Sequence, residues 1–358
     1  MIRILAHSLL ILECIISGCS HSVNPIIPQS KDPRTYSWTL DTLYYTSPPQ
    51  DFGQTVMLDI WGLNDTLIYA VGHDATFELG AMWKYEGKKW ERVHLSMYEG
   101  GTLNRTFSIY AIKGFAENNI YAFGTAWTNS TGKEVSSTAG IHYDGTQWYE
   151  ISMPQGKGIS SFVASSPTTM YCGGLNDGQL YHFDGIKWSV DTITNSPFPD
   201  LEILVSVMGV SSTSDVYFQT NQFKNLQGGF EYKQTIKRNY TKSIVLDSAY
   251  NNPPWGGRSF WQSKAGNIYS CGSGGIYLLS GDKWKTFYSS EDILSMFGTS
   301  DEHIFAVGIS NIYFYDGNNW EIICPYRGTT YQIHLWCSET KVFISFSDGT
   351  KTYVLHGK

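Results

Sequence analysis

Short apolar runs alternate with polar turns along the chain at a regular spacing. A typical stretch is "DIWGLNDTLIYAVG" at 59–72, in which two runs rich in aromatic and β-branched residues flank a polar turn. Runs of this length and composition predict two antiparallel strands rather than a helix. Six further copies of the stretch occupy 111–124, 162–174, 207–220, 260–272, 296–308 and 334–346. The chain therefore contains one kind of strand pair seven times.

A second motif follows most of these strand pairs. In "YDGNNW" at 315–320, an aromatic residue precedes Asp-Gly, and a Trp follows three residues after the Gly. Because Gly readily takes the positive φ of a tight turn, the motif predicts a hairpin of third and fourth strands with packed aromatic side chains. Its copies begin at Tyr85, Tyr143, Phe183, Ser280 and Tyr315. We interpret the tryptophans as packing residues rather than as an exposed stacking platform.

The fourth unit departs from this motif, and the seventh is incomplete. "EYKQTIKRNY" at 231–240 replaces the turn motif in the fourth unit, with Tyr240 in place of Trp. The seventh unit ends with "YVLHGK", where an outer strand should follow. A spare strand of that type, Thr35–Leu40, stands at the other end of the repeat region. We therefore expect this N-terminal strand to complete the seventh unit and to close a ring.

The repeat predicts an all-β fold, a seven-bladed β-propeller of four-stranded blades over residues 36–358. The seven units average about 46 residues each, which suits a four-stranded blade. The chain resembles bacterial β-propellers of the kelch and Asp-box kind. "YAVG" at 69–72 and "YCGG" at 171–174 look like the glycine-ended second strand of kelch, although the paired glycines occur only in the latter. The resemblance implies the architecture, not the activity of one family.

Composition narrows the class of partner. Charged residues make up 16% of the chain and aromatic residues 15%, and the net charge is −7. Since binding to a phosphate backbone needs clustered Lys and Arg, this balance argues against a nucleic-acid partner. The remaining classes are a protein or carbohydrate ligand.

The N-terminus reads as a targeting segment. Arg3 precedes a short apolar run that ends in "ISGC" at 16–19, which resembles a bacterial lipobox. The resemblance implies a signal peptide over 1–18, a lipid on Cys19, a tether over 19–35 and a bacterial cell-envelope location as an outer-membrane lipoprotein. Ordinary secretion is the alternative. The apolar run is too short to span a bilayer, so we expect contact with the membrane through the lipid anchor only.

Cysteine and histidine spacing indicates no metal site or cofactor. Four cysteines remain after the tether: Cys172, Cys271, Cys324 and Cys337. Cys172 and Cys271 occupy matching positions in the third and fifth units, too far apart for a disulfide, and we expect buried free thiols. His142 and His182 also match each other, which indicates strand residues rather than ligands.

Ligands of propellers usually bind near the axis on one face, in the loops from outer strand to next inner strand and from second to third strand. These loops are longest in the first four units, as at 94–107, 125–138 and 243–257. We predict an exposed binding surface there. Its candidate residues are His73, Asp74, Tyr98, Glu99, Arg105, Trp127, Tyr250, Trp255 and Arg258. Alternatively, these loops only cap the ring and pack on one another.

We interpret the protein as a monomeric, lipid-anchored, extracytoplasmic module that binds or scaffolds a protein or glycan without catalysis. The alternative is a carbohydrate-active enzyme of sialidase-like type, which would use three arginines and carboxylates on the loop face. Arg105, Arg258 and Arg327 lie near the predicted loops, and Asp74 or Glu99 could act as the acid. A tight cluster of arginines and carboxylates would favour the enzyme, and a mostly neutral, aromatic surface would favour the binding module.

Overall fold

The described part of the chain consists of twenty-eight β-strands and one short 3-10 helix, Pro33–Thr35. The computed structural model describes residues 31–43, 55–74, 80–97, 100–130, 133–193, 197–198, 201–224, 231–239, 242–326, 332–347 and 351–358. Among these residues, no helix has the length and apolar character needed to cross a membrane.

The strands form seven antiparallel sheets of four strands, and each sheet is one blade. The first strands of neighbouring blades contact each other around the axis. Blade one contains β2 (Thr55–Asn64), β3 (Leu67–Asp74), β4 (Gly80–Tyr85) and β5 (Trp90–Arg92), and blade two contains β6 (Thr106–Ala116), β7 (Asn119–Ser130), β8 (Lys133–Tyr143) and β9 (Trp148–Ile151). Blade three contains β10 (Ile159–Ser166), β11 (Thr169–Gly174), β12 (Gln179–Phe183) and β13 (Trp188–Thr192), and blade four contains β14 (Glu202–Val210), β15 (Val216–Phe223), β16 (Glu231–Arg238) and β17 (Ser243–Tyr250). Blade five contains β18 (Gly257–Gln262), β19 (Ile268–Gly272), β20 (Gly275–Ser280) and β21 (Lys283–Ser289); blade six β22 (Ile293–Ser300), β23 (His303–Gly308), β24 (Asn311–Tyr315) and β25 (Trp320–Pro325); and blade seven β26 (His334–Cys337), β27 (Val342–Ser347), β28 (Thr352–Gly357) and β1 (Trp38–Leu43). The predicted seven-bladed architecture is confirmed.

The N-terminal strand closes the ring, as the repeat predicts. β1 pairs with β28 in an antiparallel register that sets Trp38 opposite Gly357 and Leu43 opposite Thr352. The pairing continues past the strand ends, because Ser37 and Lys358 exchange backbone hydrogen bonds of 3.0 and 3.1 Å. The strand begins three residues later than predicted. Blade seven is thus built from both ends of the described chain.

The residues just before β1 are held against blade six. The Arg34 guanidinium donates to Glu321 at 2.6 and 3.0 Å and to Asp316 at 2.6 Å. Tyr36 is buried among apolar residues of blades six and seven. Residues 31–35, which the sequence analysis assigns to the tether, therefore contact the ring.

The Asp-Gly motifs form the hairpins between third and fourth strands. The Asp316 carboxylate accepts backbone N–H groups of Asn318 and Asn319 at 3.0 and 2.9 Å, and Gly317 has a φ of +91°. These bonds hold the pKa of Asp316 at about 2, well below its usual value. Aspartates at the matching positions in blades two and three cap their turns in the same way.

Each tryptophan of these hairpins packs inside the ring of blades. Trp148 contacts Tyr143 of its own hairpin, with ring centroids 5.4 Å apart, and meets Tyr69 of blade one edge-on at 6.2 Å. Trp188 makes the equivalent contacts with Phe183 and with Phe123 of blade two. The motif therefore supplies packing both within a blade and between blades.

The hydrophobic core is divided into seven clusters, one at each interface between neighbouring blades. The smallest lies between blades four and five and contains only three buried residues, so polar bonds contribute more there. Gln262 donates to and accepts from the Val210 backbone across this interface at 2.8 and 3.1 Å. Trp284 Nε1 donates to Thr235 at 3.2 Å.

Matching positions of the repeat behave alike. Cys172 and Cys271 are buried free thiols on the second strands of blades three and five, as predicted. His142 and His182 lie on third strands and stack on Tyr121 and Tyr171, with ring centroids 4.2 and 4.4 Å apart. The two cysteines and the two histidines therefore match because each pair occupies the same position in the repeat.

Two stretches predicted as loops are strands. In blade two, 125–130 belong to β7 and 133–138 to β8, and the two strands pair there in a ladder in which Ser130 faces Lys133. In blade four, Asn239 replaces the Asp-Gly turn by accepting the Lys242 N–H at 2.9 Å, and β17 then covers most of 243–257. Tyr240 lies outside the described residues. A strand ladder pairs the backbone N–H and C=O groups better than a loop can, so the long segment between the second and third strands of blade two extends the blade.

Candidate functional site

An axial channel runs through the centre of the ring. It encloses a cavity of about 880 Å³, and its wall is drawn from the first strands of all seven blades. Antiparallel order places the start of every first strand on the same face as the connections from outer strand to next blade and from second to third strand. The cavity lining reaches toward that face at Arg258 and toward the opposite face at Ser211 and Lys264.

One matched position per blade, polar in six of the seven blades, forms a belt around the channel. Each belt residue pairs with the second-strand residue that lies one position before the end of the aligned repeat stretch, for example Asp59 with Val71 and Ser259 with Cys271. All seven members line the cavity. The belt comprises Asp59, Ala111, Ser161, Ser206, Ser259, Ser295 and His334.

Belt side chains join neighbouring blades. Because first strands of adjacent blades are not paired with each other, their backbone groups beside the channel need side-chain partners. Asp59 accepts the Ile112 N–H of blade two at 2.9 Å. Ser161 accepts the Val207 N–H of blade four at 2.9 Å and also donates to the Val205 carbonyl. The belt thus supports the ring as well as lining the channel.

Burial moves both titratable belt groups toward neutrality. Burial raises the pKa of Asp59 to about 7, although backbone N–H bonds from Ile112 and Ile60 oppose the change. Burial, together with the nearby Arg258 charge, lowers the pKa of His334 to about 4. His334 Nε2 is buried and has no hydrogen-bond partner among the described residues.

Of the predicted site residues that the structure describes, one lines the channel. Arg258 is exposed at the start of β18 and belongs to the cavity wall. Arg105 instead pairs with Glu150 and bonds Ser137 on blade two. Trp127, also on blade two, is half-buried and donates to Ser108 at 3.2 Å. Tyr250 is exposed at the end of the outer strand of blade four, against Tyr232.

Two of the residues predicted to be exposed are buried. Trp255 is fully buried, because the loop after β17 turns inward at Gly256 and Gly257, which both have positive φ. Its Nε1 donates to Gln219 at 2.8 Å, which makes it a packing residue between blades four and five. His73 is 5% exposed, with its ring 6.2 Å from that of Tyr110.

The remaining candidates cannot be placed in the channel. Tyr98 and Glu99 lie outside the described residues, as does Arg327. Asp74 ends β3, and its side chain is not described. The members of the predicted set whose side chains are described lie on or beside blades one, two, four and five.

The sequence analysis missed the belt, although the repeat contains its signal. The aligned stretches in units three to six begin one residue after the belt position, at Phe162, Val207, Phe260 and Met296. Extending each by one residue adds Ser161, Ser206, Ser259 and Ser295. In these four units a serine therefore precedes two apolar residues. This recurring pattern is the sequence signal of a position that lines the channel and bonds backbone groups of the neighbouring blade.

The described wall contains few groups for acid–base or metal chemistry. Asp59 is its one carboxyl group, whereas glycoside cleavage generally needs two. In the part of the chain that is described, no three His, Cys, Asp or Glu side chains are grouped to hold a metal ion. Arg105 is bonded to Glu150 and Ser137 and is not part of the described wall, whereas Arg258 is.

Comparison with known proteins supports the architecture and no further identity. No family model and no curated protein sequence matches the chain. Among solved structures, YCF48 bound to D1 peptide is 14% identical, with 89% of this chain and 96% of that chain covered and a TM-score of 0.53. An extracellular domain of a one-component system from B. thetaiotaomicron is 13% identical, with 88% of this chain but only 39% of that chain covered and a TM-score of 0.55. The Cps50 (Swd1) β-propeller domain of Myceliophteria thermophila is 8% identical, with 89% and 99% covered and a TM-score of 0.53. At these identities the likeness is one of fold.

Asp59 and His334 predict opposite effects of pH on folding. An acid whose pKa is raised by folding holds extra protons in the folded state, so Asp59 makes folding less favourable as pH rises from about 4 to about 7. A histidine whose pKa is lowered by folding holds fewer protons in the folded state, so His334 makes folding more favourable as pH rises from about 4 to about 6.5. In the wild type the two residues therefore have opposite effects on how the free energy of unfolding changes with pH, and these effects offset each other between about pH 4 and 6.5.

Asp59→Asn should therefore make the free energy of unfolding rise more steeply with pH in the shared window, and His334→Gln should lower the slope. Each change in slope is at most about 1.4 kcal/mol per pH unit. Urea unfolding at several values between about pH 4.5 and 6.5 measures it. Replacing the exposed Ile186 with Ala changes no titratable group, so this control should leave the slope unchanged. Parallel curves for wild type and Asp59→Asn would contradict the buried carboxyl.

Proposed function

We propose that the protein is a non-enzymatic binding module that holds a segment of a partner protein at the loop-rich mouth of the axial channel. The observation that carries this proposal is the cavity of about 880 Å³ with its serine-rich belt. Serine hydroxyls both donate and accept hydrogen bonds, so such a wall can satisfy the amide groups of an inserted chain.

A peptide fits the channel mouth better than a glycan does. Sugar recognition relies on exposed aromatic faces. Of the two tryptophans predicted for the site, Trp255 is buried and Trp127 is half-buried and bonded to Ser108, and neither lines the channel. Tyr250 is exposed, but it lies on the outer strand of blade four, away from the axis. The propeller of YCF48, which has a similar fold, holds a peptide, and this lends support by analogy.

The sialidase-like alternative has less support. It requires arginines and carboxylates that converge, and Arg105 is engaged by Glu150 on blade two, whereas Arg258 belongs to blade five. Asp59 stands without a second carboxyl group in the described wall. We therefore keep the enzyme as an outcome of the test below.

Selection from a random peptide display library on the immobilised protein tests the proposal. We expect enriched peptides that bind in solution, and truncation of the channel-lining side chain in Tyr110→Ala should weaken them at least about tenfold. Tyr149→Ala, on an outer strand, is the matched control and should bind normally. Failure to enrich any peptide, or equal effects of both variants, would overturn the proposal. Turnover of a fluorogenic sialoside that depends on Arg258 would support the enzyme instead.

We also propose that the module is anchored to the bacterial envelope, at the outer membrane, by a lipid on Cys19. The support is the "ISGC" sequence at 16–19 together with the similar fold of an extracellular domain from B. thetaiotaomicron. Cells that express the chain should incorporate labelled palmitate into it and recover it with membranes. Cys19→Ser should abolish both, whereas Cys14→Ser should abolish neither. Membrane recovery without label in the wild type would contradict the anchor.

A further inference from the structure

The wall of the axial channel has a charge opposite to that of the whole chain. The protein has 32 acidic and 25 basic residues, for a net charge of −7. The described wall instead contains three cationic side chains, Lys113, Arg258 and Lys264, against the single carboxyl group of Asp59. A narrow cleft with walls of one sign concentrates the field of its charges, so the channel favours anionic groups over cationic ones.

These cations are spread along the axis. Arg258 is the second residue of β18, at the loop-rich mouth, and Lys264 lies in the turn after that strand, toward the opposite mouth. Between them, Lys113 lies two residues beyond the belt on β6, and its Nζ donates to the Ala164 carbonyl at 2.9 Å. A ligand that enters from the loop face therefore meets Arg258 first.

His334 lies within the electrostatic reach of Arg258. Both side chains line the same cavity, from blades five and seven, and the Arg258 charge adds to burial in lowering the pKa of His334. His334 Nε2 is buried beside the channel without a hydrogen-bond partner among the described residues. Since buried polar atoms normally have partners, this nitrogen is available to form a hydrogen bond with a ligand.

A carboxylate suits these groups better than a phosphate dianion does. A guanidinium offers paired donors that match a carboxylate, and His334 can add a third donor once it is protonated. Asp59 lies at the matched belt position of blade one, next to blade seven in the ring. Because Asp59 becomes negatively charged when ionised, a doubly charged anion would be repelled more strongly than a single carboxylate.

We propose that the axial channel recognises a carboxylate of its peptide ligand, bound between Arg258 and His334. The carboxylate comes from an acidic side chain or from the C-terminus of the peptide. This inference rests on the proposed function of the channel as a peptide site. It adds the chemical class of the group that enters the axis.

Peptides enriched by the display selection test the inference. If the carboxylate belongs to a side chain, changing Glu and Asp of the peptide to Gln and Asn should weaken binding at least about tenfold. If it belongs to the C-terminus, amidation of the peptide should have that effect instead. Arg258→Gln should have a similar effect, whereas Lys187→Gln removes an exposed cation from an outer turn of blade three and should have none. Enriched peptides whose binding ignores both carboxylate changes would overturn the inference and leave the proposed function standing; no enrichment at all would overturn both.

The pKa of His334 gives an independent measurement that needs no selected peptide. Histidine ring resonances, assigned with His334→Gln, are followed by NMR in sodium acetate and in sodium chloride of equal ionic strength. A bound carboxylate favours the imidazolium form, so acetate should raise the pKa of His334 above its value of about 4, and acetamide should not. In Arg258→Gln the acetate effect should disappear. An identical pKa in acetate and chloride would contradict the site.

Discussion

The pairing of β1 with β28 is the constraint on which the rest of the structure depends. A propeller of seven sheets has no single core, because each sheet is stabilised by its two neighbours. An open ring would lose one of the seven interfaces and expose the apolar faces of both blades at the gap. The N-terminal strand prevents this by completing the last blade, and Tyr36 and Leu43 pack into the interfaces on either side of that blade. Arg34 then ties the preceding residues to blade six.

The same closure creates the channel. First strands of neighbouring blades meet at the axis without pairing, so their backbone groups must be satisfied by side chains. Asp59 and Ser161 do this across two of the interfaces, and their counterparts line the same cavity. One position in the repeat therefore serves two purposes: it bonds the blades together, and it gives the channel a polar wall. The cations of that wall, in an acidic protein, then bias the channel toward anionic groups.

The repeat in the sequence predicts the architecture well, because it reflects local physics. The Asp-Gly motif forms a hairpin in blades two, three and six, as at Asp316-Gly317, because the carboxylate caps the turn and Gly takes positive φ. The match of Cys172 with Cys271 follows from the same register. The binding residues were harder to predict, because their position depends on non-local packing. Trp255 looks like an exposed loop residue in the sequence, and only the inward turn at Gly256 and the partner Gln219 bury it. His334 and Arg258 are far apart in sequence, and only the closed ring places both in the wall of one channel.

Site-resolved hydrogen exchange on the purified protein tests the closed ring most directly. β1 is an edge strand, so every second amide of Trp38–Leu43 bonds to β28, and the account predicts that these amides exchange as slowly as those of Thr352–Gly357. The alternate amides of β1 should exchange quickly. Uniformly fast exchange across Trp38–Leu43, while the three other strands of blade seven remain protected, would contradict the closure and with it the channel that the closure forms.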